Sequence, residues 1–250
     1  MELAGKTILL TGATGGLGRT IAAALASKGA RLVLSSRKAD ELAALAESLP
    51  GDGHRHLVSD LAAEGAGAEL VAAAGEIDGI VANAGIGANG KVDGYSAQQI
   101  ETLVRVNLEV PIQMARVVAP SLRKRGAGHI VFISSLAGKA ATPRHALYAA
   151  TKAGLRAFSL ALRGDLARDG VGVSVVCPGF IREAGMFADS GDEPPMNLGT
   201  SSPQEVADAV VEAIEKNKIE LDVAPIRQRE LANFAHRFPS VAARLTGRVS

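Results

Sequence analysis

A tyrosine and a lysine separated by about one helical turn are the first candidates for chemistry in this 250-residue chain. Tyr148 and Lys152 are four residues apart in an alanine-rich stretch, so in a helix both side chains project from one face. A lysine ammonium beside a phenol favours the phenolate, and the spacing therefore predicts that the pKa of Tyr148 lies below its ordinary value of about 10. Such a phenol could exchange a proton with a substrate near neutral pH. The same spacing also fits a surface tyrosine beside a flexible lysine.

A glycine-rich segment, 11–18 (TGATGGLG), lies between an apolar run and an alanine-rich stretch near the start of the chain. Gly12 can adopt backbone angles that other residues rarely adopt, and Gly16 and Gly18 remove side chains where a ligand and a neighbouring strand must come close. The first turn of the following helix would present free N–H groups and the positive end of the helix dipole, which suits a pyrophosphate. The segment therefore indicates a dinucleotide site, although an ordinary glycine-rich turn has the same composition.

The hydrophobic pattern predicts the scaffold that must position these residues. Short apolar runs rich in β-branched residues alternate with longer alanine-rich stretches. Continuous apolar runs are typical of strands buried on both faces, and helix-length connections suit parallel neighbours. We therefore expect a three-layer, doubly wound α/β sheet, which binds ligands at the carboxyl ends of its strands. The expected strands are 6–11, 31–35, 56–59, 77–82, 129–134, 171–177 and 220–224, and the expected helices are 16–28, 40–49, 96–119, 148–168 and 203–216.

Composition excludes several classes of protein. The 27 basic and 26 acidic residues leave a net charge of +1, so no overall field attracts nucleic acid. The single cysteine, Cys177, excludes an intramolecular disulfide. Apart from His54 and His56, which alternate on an expected strand, the histidines lack metal-ligand spacing, so we expect no metal. The first residues lack the pattern of a secretion signal, and no run of about 18 apolar residues could span a bilayer. We therefore expect a cytoplasmic protein.

The glycine-rich segment has the spacing Thr-Gly-x-x-x-Gly-x-Gly, and here the sequence resembles the classical short-chain dehydrogenase/reductase family over about residues 5–223. The resemblance implies an extended Rossmann fold and an NAD(H) or NADP(H) cofactor. Three motifs that follow later strands also match the family: Asp60-Leu61, Asn83-Ala84-Gly85 and Pro178-Gly179. Ala82 differs, because the family's Asn-Asn-Ala-Gly element begins with asparagine at that position. The cofactor contacts that the resemblance implies are Gly12, Thr14, Gly16, Leu17, Gly18, Ser36, Arg37, Asp60, Leu61, Asn83, Ala84, Gly85, Tyr148, Lys152, Pro178, Gly179 and Ile181.

The resemblance also implies roles for four catalytic residues. Ser135 would hold the substrate oxygen, and Tyr148 would exchange a proton with that oxygen. Lys152 would lower the pKa of Tyr148 and bind the nicotinamide ribose. Asn107 would hold a water that links Lys152 to a proton relay; the alternative is a mid-helix asparagine that bonds the backbone and bends the helix. The expected activity is hydride transfer between a nicotinamide cofactor and a carbonyl/alcohol pair.

The end of the second strand, Ser36-Arg37, bears on the choice of cofactor. An acidic residue there would bind the ribose 2′-OH and repel a 2′-phosphate, whereas a guanidinium suits a phosphate. Ser36 and Arg37 therefore favour NADP(H), with NAD(H) as the alternative. The same residues would also be found if Arg37 were a solvated surface arginine with no role in cofactor binding.

One position departs from the family's pattern. Glu183 stands where the family's Pro-Gly-x-x-x-Thr motif has threonine, and a carboxylate there would repel a pyrophosphate unless it swung outwards or paired with Arg182. The expected substrate loop, 183–202, and the region after Ser135 are rich in apolar residues, so we expect a lipophilic small-molecule substrate. The apolar residues in question could equally pack against the helix before the last strand; they are Leu136, Ala137, Pro143, Phe180, Met186, Phe187, Met196 and Leu198.

Residues 225–250 are expected to form a basic amphipathic extension of the domain made by residues 1–224. They include five arginines and one glutamate, a net charge of +4. Apolar residues recur at a spacing of three or four, and Pro239 interrupts the helix. The alternatives are packing on the chain's own domain or a partner subunit, weak contact with a lipid surface, and disorder. Docking would use Leu231, Phe234 and Phe238, and the expected assembly is a homodimer or homotetramer.

Two other functions are open at this point. A β-ketoacyl thioester reductase that acts on a carrier protein would need a basic docking patch beside the pocket, for which residues 123–125 (RKR) are the candidate. A catalytically silent, dinucleotide-sensing protein would belong to another class. The intact serine, tyrosine and lysine set argues against it, and Glu183 is its only support.

Overall fold

Seven strands form one parallel sheet among residues 1–183 and 198–246, which the computed structural model describes. The strand order along the sheet is 3-2-1-4-5-6-7, so the connections change direction between the first strand and the fourth. This change leaves a crevice at the carboxyl ends of those two strands, where doubly wound sheets bind ligands. The strands are β1 (Thr7–Thr11), β2 (Arg31–Ser36), β3 (Arg55–Val58), β4 (Gly79–Ala82), β5 (Gly128–Ile133), β6 (Val171–Pro178) and β7 (Glu220–Val223).

Helices cover both faces of the sheet. Successive side chains of a strand point to opposite faces, so Ile8 and Leu10 of β1 belong to one buried cluster and Leu9 belongs to the other. The fold class predicted from the hydrophobic pattern is therefore confirmed. The helices are α1 (Gly16–Ser27), α2 (Ala39–Ser48), α3 (Ala66–Ala74), α4 (Ala97–Val104), α5 (Val110–Arg125), α6 (Ala146–Leu166), α7 (Pro203–Glu215), α8 (Ile226–Arg237) and α9 (Pro239–Thr246).

The helix expected at 96–119 is irregular and extends further than predicted. A capping box formed by Ser96 and Gln99 starts α4, and α5 follows it after one π-helical turn, Arg105–Glu109. Such turns are frequent at functional sites. The residue at the middle of this turn is Asn107, one of the candidate catalytic residues.

The helix α3 is absent from the elements predicted from the sequence. Its alanine- and glycine-rich sequence has little amphipathic pattern, and the flanking residues Gly65 and Gly75 both adopt positive φ angles. Leu70, Val71 and Ala74 are buried in the cluster that also holds the inner face of α5. Tertiary packing therefore stabilises this short helix more than its own propensity does.

The C-terminal extension is helical as far as the structure describes it, and its first helix, α8, packs on the domain, whereas α9 is largely exposed. Gln228 is buried against the domain, and α9 begins at Pro239, where the sequence predicted a break. Leu231, Phe234 and Phe238 are 55%, 41% and 47% exposed. The inner face of α8 therefore covers its own domain, while the three candidate docking residues point away from it.

Candidate active site

Thr11 and Asn83 hold the glycine-rich turn after β1 in place. The Thr11 hydroxyl accepts hydrogen bonds from the backbone N–H groups of Asn83 and Ala84, at 3.1 and 3.0 Å. The Asn83 side chain donates to the carbonyl oxygens of Thr11 and Gly12, at 3.0 and 3.3 Å. The carboxyl ends of β1 and β4 are thereby joined at the crevice.

Two of the glycines have no room for a side chain. Gly12 has a φ of +66°, and a Cβ atom there would lie 2.9 Å from the Ala84 Cα. A Cβ atom on Gly18 would lie only 2.0 Å from the Gly12 carbonyl oxygen. Gly15 is the N-cap of α1, and no described side chain caps the first N–H groups of that helix. These free N–H groups and the close approach of the backbone fit a pyrophosphate.

The other predicted cofactor residues follow the same edge of the sheet, because parallel strands end on one side. Asp60 is exposed, and its carboxylate accepts the N–H of Ala62 at 3.1 Å, as an aspartate in an ordinary turn does. The full set is Thr14, Gly16 and Leu17 in the turn; Ser36 and Arg37 at the end of β2; Asp60 and Leu61 after β3; Ala84 and Gly85 after β4; and Pro178, Gly179 and Ile181 at and after the end of β6.

Arg37 is exposed and forms no ion pair with any residue in the described ranges. Unlike Arg37, the neighbouring cations Lys38 and Arg19 have an acidic partner, since both pair with Glu41, Lys38 at 2.7 Å. The Ser36 hydroxyl accepts the Lys38 N–H at 3.2 Å and brings no charge. The end of β2 therefore presents one guanidinium that a phosphate could bind.

Ser135 lies between the end of β5 and a short 3₁₀ turn, Leu136–Gly138, and is partly exposed. Its hydroxyl donates a hydrogen bond to the Pro178 carbonyl oxygen at 3.3 Å. The neighbouring Ser134 is buried and donates to the Lys152 carbonyl oxygen at 2.8 Å. Ser134 thus ties β5 to α6, and Ser135 is the more exposed of the two serines.

Tyr148 and Lys152 lie on one face of α6, with the Lys152 Nζ 5.7 Å from the centre of the Tyr148 ring. Lys152 is 2% exposed, and burial lowers its pKa to about 8. Burial also raises the pKa of Tyr148 to about 12, against a hydrogen bond with Ser135 that lowers it. The expectation of a lowered pKa for Tyr148 is therefore wrong for this arrangement, because the loss of hydration outweighs the effects that favour the phenolate.

Asn107 is fully buried, and its side chain binds the loop after β4. Its Oδ1 accepts the Ile86 N–H at 2.8 Å, and its Nδ2 donates to the Ile86 carbonyl oxygen at 2.9 Å and to the Thr151 hydroxyl at 3.3 Å. A Cβ atom on Gly85 would lie 3.3 Å from the Asn107 Oδ1 and 3.4 Å from the Lys152 Nζ. The side chains of Asn107 and Lys152 therefore both lie next to Gly85. The side chain bonds the backbone, as the structural alternative predicts, and its role in a proton relay stays a prediction.

Glu183 pairs with Arg182, whose Nε lies 2.9 Å from the Glu183 Oε1. The Glu183 side chain is 67% exposed, and its φ of +72° is uncommon for a residue other than glycine. Of the two arrangements that the sequence left open, an outward swing or a pair with Arg182, the structure shows the pair. Of the apolar residues expected in the substrate loop, Met186, Phe187 and Met196 lie outside the described residues.

Four charged residues beside the site were missed by the sequence analysis. The Lys139 ammonium bonds both Asp222 oxygens, at 2.6 and 2.7 Å, and lies 2.8 Å from Glu220. Arg156 on α6 bonds the same Glu220 at 2.6 Å. The network joins the turn after Ser135, the helix that carries Tyr148 and β7. Nothing local in the sequence marks it, because Lys139 and Asp222 are 83 residues apart.

Comparisons with known proteins show which family this chain belongs to. A family model described as short chain dehydrogenase matches residues 6–194. Ketoacyl reductase HetN from Nostoc sp. is 40% identical over 224 residues, which cover 86% of this chain and 77% of that protein. A short-chain dehydrogenase from Sphingobium yanoikuyae in complex with NADPH has a TM-score of 0.81 at 27% identity, covering 98% of this chain and 95% of its own. A 3-ketoacyl-(acyl-carrier-protein) reductase from Brucella melitensis complexed with NADH has a TM-score of 0.79 at 27% identity, covering 90% and 99%.

The family match includes the glycine-rich turn, Ser135, Tyr148 and Lys152, and it spans most of the chain. The similar structures reproduce the sheet and its helices over nearly their full length. The chain therefore belongs to the classical short-chain dehydrogenase/reductase family of oxidoreductases.

Proposed function

We propose that this chain interconverts a carbonyl and an alcohol on a lipophilic substrate, with Tyr148 as the proton donor and NADP(H) as the hydride carrier. One observation supports this proposal most strongly. Ser135, Tyr148 and Lys152 lie together at the edge of the sheet that also holds a glycine-rich turn that fits a pyrophosphate. A bound nicotinamide supplies the hydride, and the similar structures contain NADPH or NADH.

The proton would come from Tyr148. Burial raises its pKa to about 12, so the phenol is protonated at neutral pH and can donate to a carbonyl oxygen. The Ser135 hydroxyl would hold the same oxygen from a second side. As the phenol loses its proton, the Lys152 ammonium would stabilise the phenolate. With a pKa of about 8, Lys152 carries its charge at neutral pH and loses it in mild alkali.

The test is NADPH consumption by the full-length protein with a panel of ketones and aldehydes of increasing apolar surface. We expect turnover that improves with the apolar surface of the substrate, because burying apolar area favours binding. An absence of turnover with every carbonyl, together with tight NADPH binding, would instead support a dinucleotide-sensing role.

A β-ketoacyl thioester reductase is the second candidate, which the names of HetN and of the Brucella protein favour. The basic cluster that carrier docking would use does not support it. Arg123 pairs with Asp169 at 2.7 Å, and Arg125 pairs with Glu76 at 3.0 Å. Both arginines end α5 at the amino edge of the sheet, opposite Ser135. Acetoacetyl-coenzyme A tests the chemistry without a carrier: a kcat/KM above that of any simple ketone would favour the second candidate.

We also propose that the outer face of α8 and α9 contacts an anionic lipid surface weakly. Among the described residues, nine large apolar side chains are exposed, and six of them lie within 226–245. The described part of the extension adds four arginines and one glutamate. A second copy bound through this face would bring like charges together across a two-fold axis, whereas anionic lipid is complementary. The homodimer or homotetramer that we expect would therefore use another face.

Sedimentation with phosphatidylglycerol vesicles tests this contact. In the described ranges, no helix has the length and apolar character needed to cross a membrane. Replacing Phe234 and Phe238 by serine should abolish cosedimentation, while Val92→Ser, at a position 72% exposed elsewhere on the surface, should not. Unchanged cosedimentation would contradict lipid contact, and an altered gel-filtration volume alone would assign the face to a subunit interface.

A further inference from the structure

Gln228 is an amide buried between the C-terminal extension and the chain that leaves β6. It lies on α8 and is 5% exposed. Its Oε1 accepts a hydrogen bond from the Phe180 N–H at 3.2 Å. Its Nε2 donates to the carbonyl oxygens of Gly199 and Leu198, at 2.6 and 3.3 Å. Because one end of the amide faces two carbonyl oxygens and the other faces an N–H group, only this orientation of the amide satisfies all three partners.

These bonds connect two segments that are distant in the sequence. Phe180 follows β6, and Leu198 and Gly199 precede α7. The two segments also pair directly, since the Ser201 N–H donates to the Phe180 carbonyl oxygen at 2.9 Å and the Arg182 N–H donates to the Ser201 carbonyl oxygen at 3.0 Å. Gln228 on α8 therefore supports the short bridge between these two segments, and it bonds backbone groups of Phe180, Leu198 and Gly199 that the bridge does not use.

Gln228 is also linked to the proposed catalytic serine. A Cβ atom on Gly179 would lie 2.2 Å from the Gln228 Oε1, so α8 packs directly on the backbone at that glycine. The preceding residue, Pro178, accepts the Ser135 hydroxyl through its carbonyl oxygen. The segment that Gln228 fixes thus begins at a direct contact of Ser135.

We propose that Gln228 is a positioning residue that sets the affinity for the carbonyl substrate by fixing the backbone of Phe180 and Leu198 at the wall of the substrate site. It acts through these two residues and through Gly179, without touching the substrate. The inference rests on the proposed function, because it places the substrate beside Ser135. It makes the C-terminal extension a part of the substrate site, although none of the proposed catalytic or cofactor residues lies there.

Gln228→Met tests the inference, because methionine fills a similar volume and forms none of these hydrogen bonds. In the full-length protein, KM for a carbonyl that the wild type reduces should rise about 10-fold, the size expected for lost hydrogen bonds to buried groups. The turnover number kcat and the affinity for NADPH should stay within about threefold, because Ser135, Tyr148 and the glycine-rich turn are untouched, and because the N–H of the cofactor-contacting Gly179 keeps its own hydrogen bond to the Val223 carbonyl oxygen at 3.0 Å. Asn233→Met, on the exposed side of α8, is the matched control and should leave KM unchanged.

Backbone hydrogen exchange supplies a readout that does not depend on activity. The Phe180 amide should exchange faster in Gln228→Met, while the amides of β1 and β5 should exchange as in the wild type. If that variant fails to fold, Gln228→Glu serves instead, since its carboxylate keeps the acceptor for Phe180 and as an anion has no donor for Gly199 and Leu198. Normal exchange at Phe180, or an unchanged KM, would overturn the role of Gln228 alone. Inactivity of the wild type with every carbonyl would overturn the proposed function instead.

Discussion

The Lys152 ammonium donates a hydrogen bond to the Ile133 carbonyl oxygen at 2.9 Å, which ties the middle of α6 to the end of β5. The Ser134 hydroxyl makes a second tie, to the Lys152 carbonyl oxygen at 2.8 Å. Ser135 follows these contacts directly in the chain, and Tyr148 lies one helical turn before Lys152. These two side-chain-to-backbone hydrogen bonds hold β5 and α6 together next to the proposed substrate-binding hydroxyl and the proposed acid, and such preorganisation favours proton transfer.

Cofactor preference should depend on Arg37. The double change Ser36→Asp and Arg37→Ala should shift preference from NADP(H) to NAD(H), because it removes a phosphate partner and adds a carboxylate that repels phosphate. One charged contact corresponds to about 1.5–3 kcal/mol, or roughly 10- to 150-fold in affinity. Fluorescence titration with both cofactors measures the shift. Lys38→Ala is the control, since Lys38 already pairs with Glu41. Tighter binding of NAD(H) than of NADP(H) by the wild type would contradict the assignment.

Two glycine-to-alanine changes should have opposite effects on stability. At Gly18 the new methyl group would lie 2.0 Å from the Gly12 carbonyl oxygen, so we expect a loss of about 1–3 kcal/mol and weaker NADPH binding. At Gly164, inside α6, nothing lies within 4 Å of the new methyl group, and the better helix propensity of alanine should add about 0.5–1 kcal/mol. Urea unfolding of both variants measures these changes. A Gly18→Ala protein as stable as the wild type would show that the turn is looser than described.

Acid should destabilise the fold through Glu220. Burial alone would raise the pKa of Glu220, but hydrogen bonds from Arg156 and Lys139 lower it to about 2, below the value of 4.5 for a free side chain. The unfolded chain therefore binds more protons than the folded one between about pH 4.5 and 2, and the free energy of unfolding falls as the pH drops through this window. Glu220→Gln should flatten that fall, whereas the exposed Glu64→Gln should not. Equal slopes for the wild type and Glu220→Gln would exclude this contribution.

Local patterns explain which parts of the site could be predicted from the sequence. Tyr148 and Lys152 are neighbours on one helix face, and Gly12 and Gly18 belong to one turn. The spacing of each pair in the sequence therefore predicts that its two residues lie close together. The sheet followed from continuous apolar runs. The raised pKa of Tyr148 could not be predicted, because it depends on burial by the whole fold.

Long-range contacts explain what was missed. Gln228 lies 48 residues from Phe180, and its neighbours in the sequence resemble an amphipathic surface helix. Lys139 and Asp222 are likewise distant in the chain, and each alone has the appearance of an exposed charge. Only the packing of α8 and β7 against the turn after Ser135 brings these residues together.

The most direct test of the account is the kcat of Tyr148→Phe with a carbonyl that the wild type reduces. The substitution removes one hydroxyl and keeps the ring, so the fold and the NADPH dissociation constant should change little. We expect kcat to fall by roughly 10²-fold or more, the size of a lost general acid. A Tyr148→Phe protein that binds NADPH and reduces the carbonyl at the wild-type rate would contradict the assignment of Tyr148 as the proton donor.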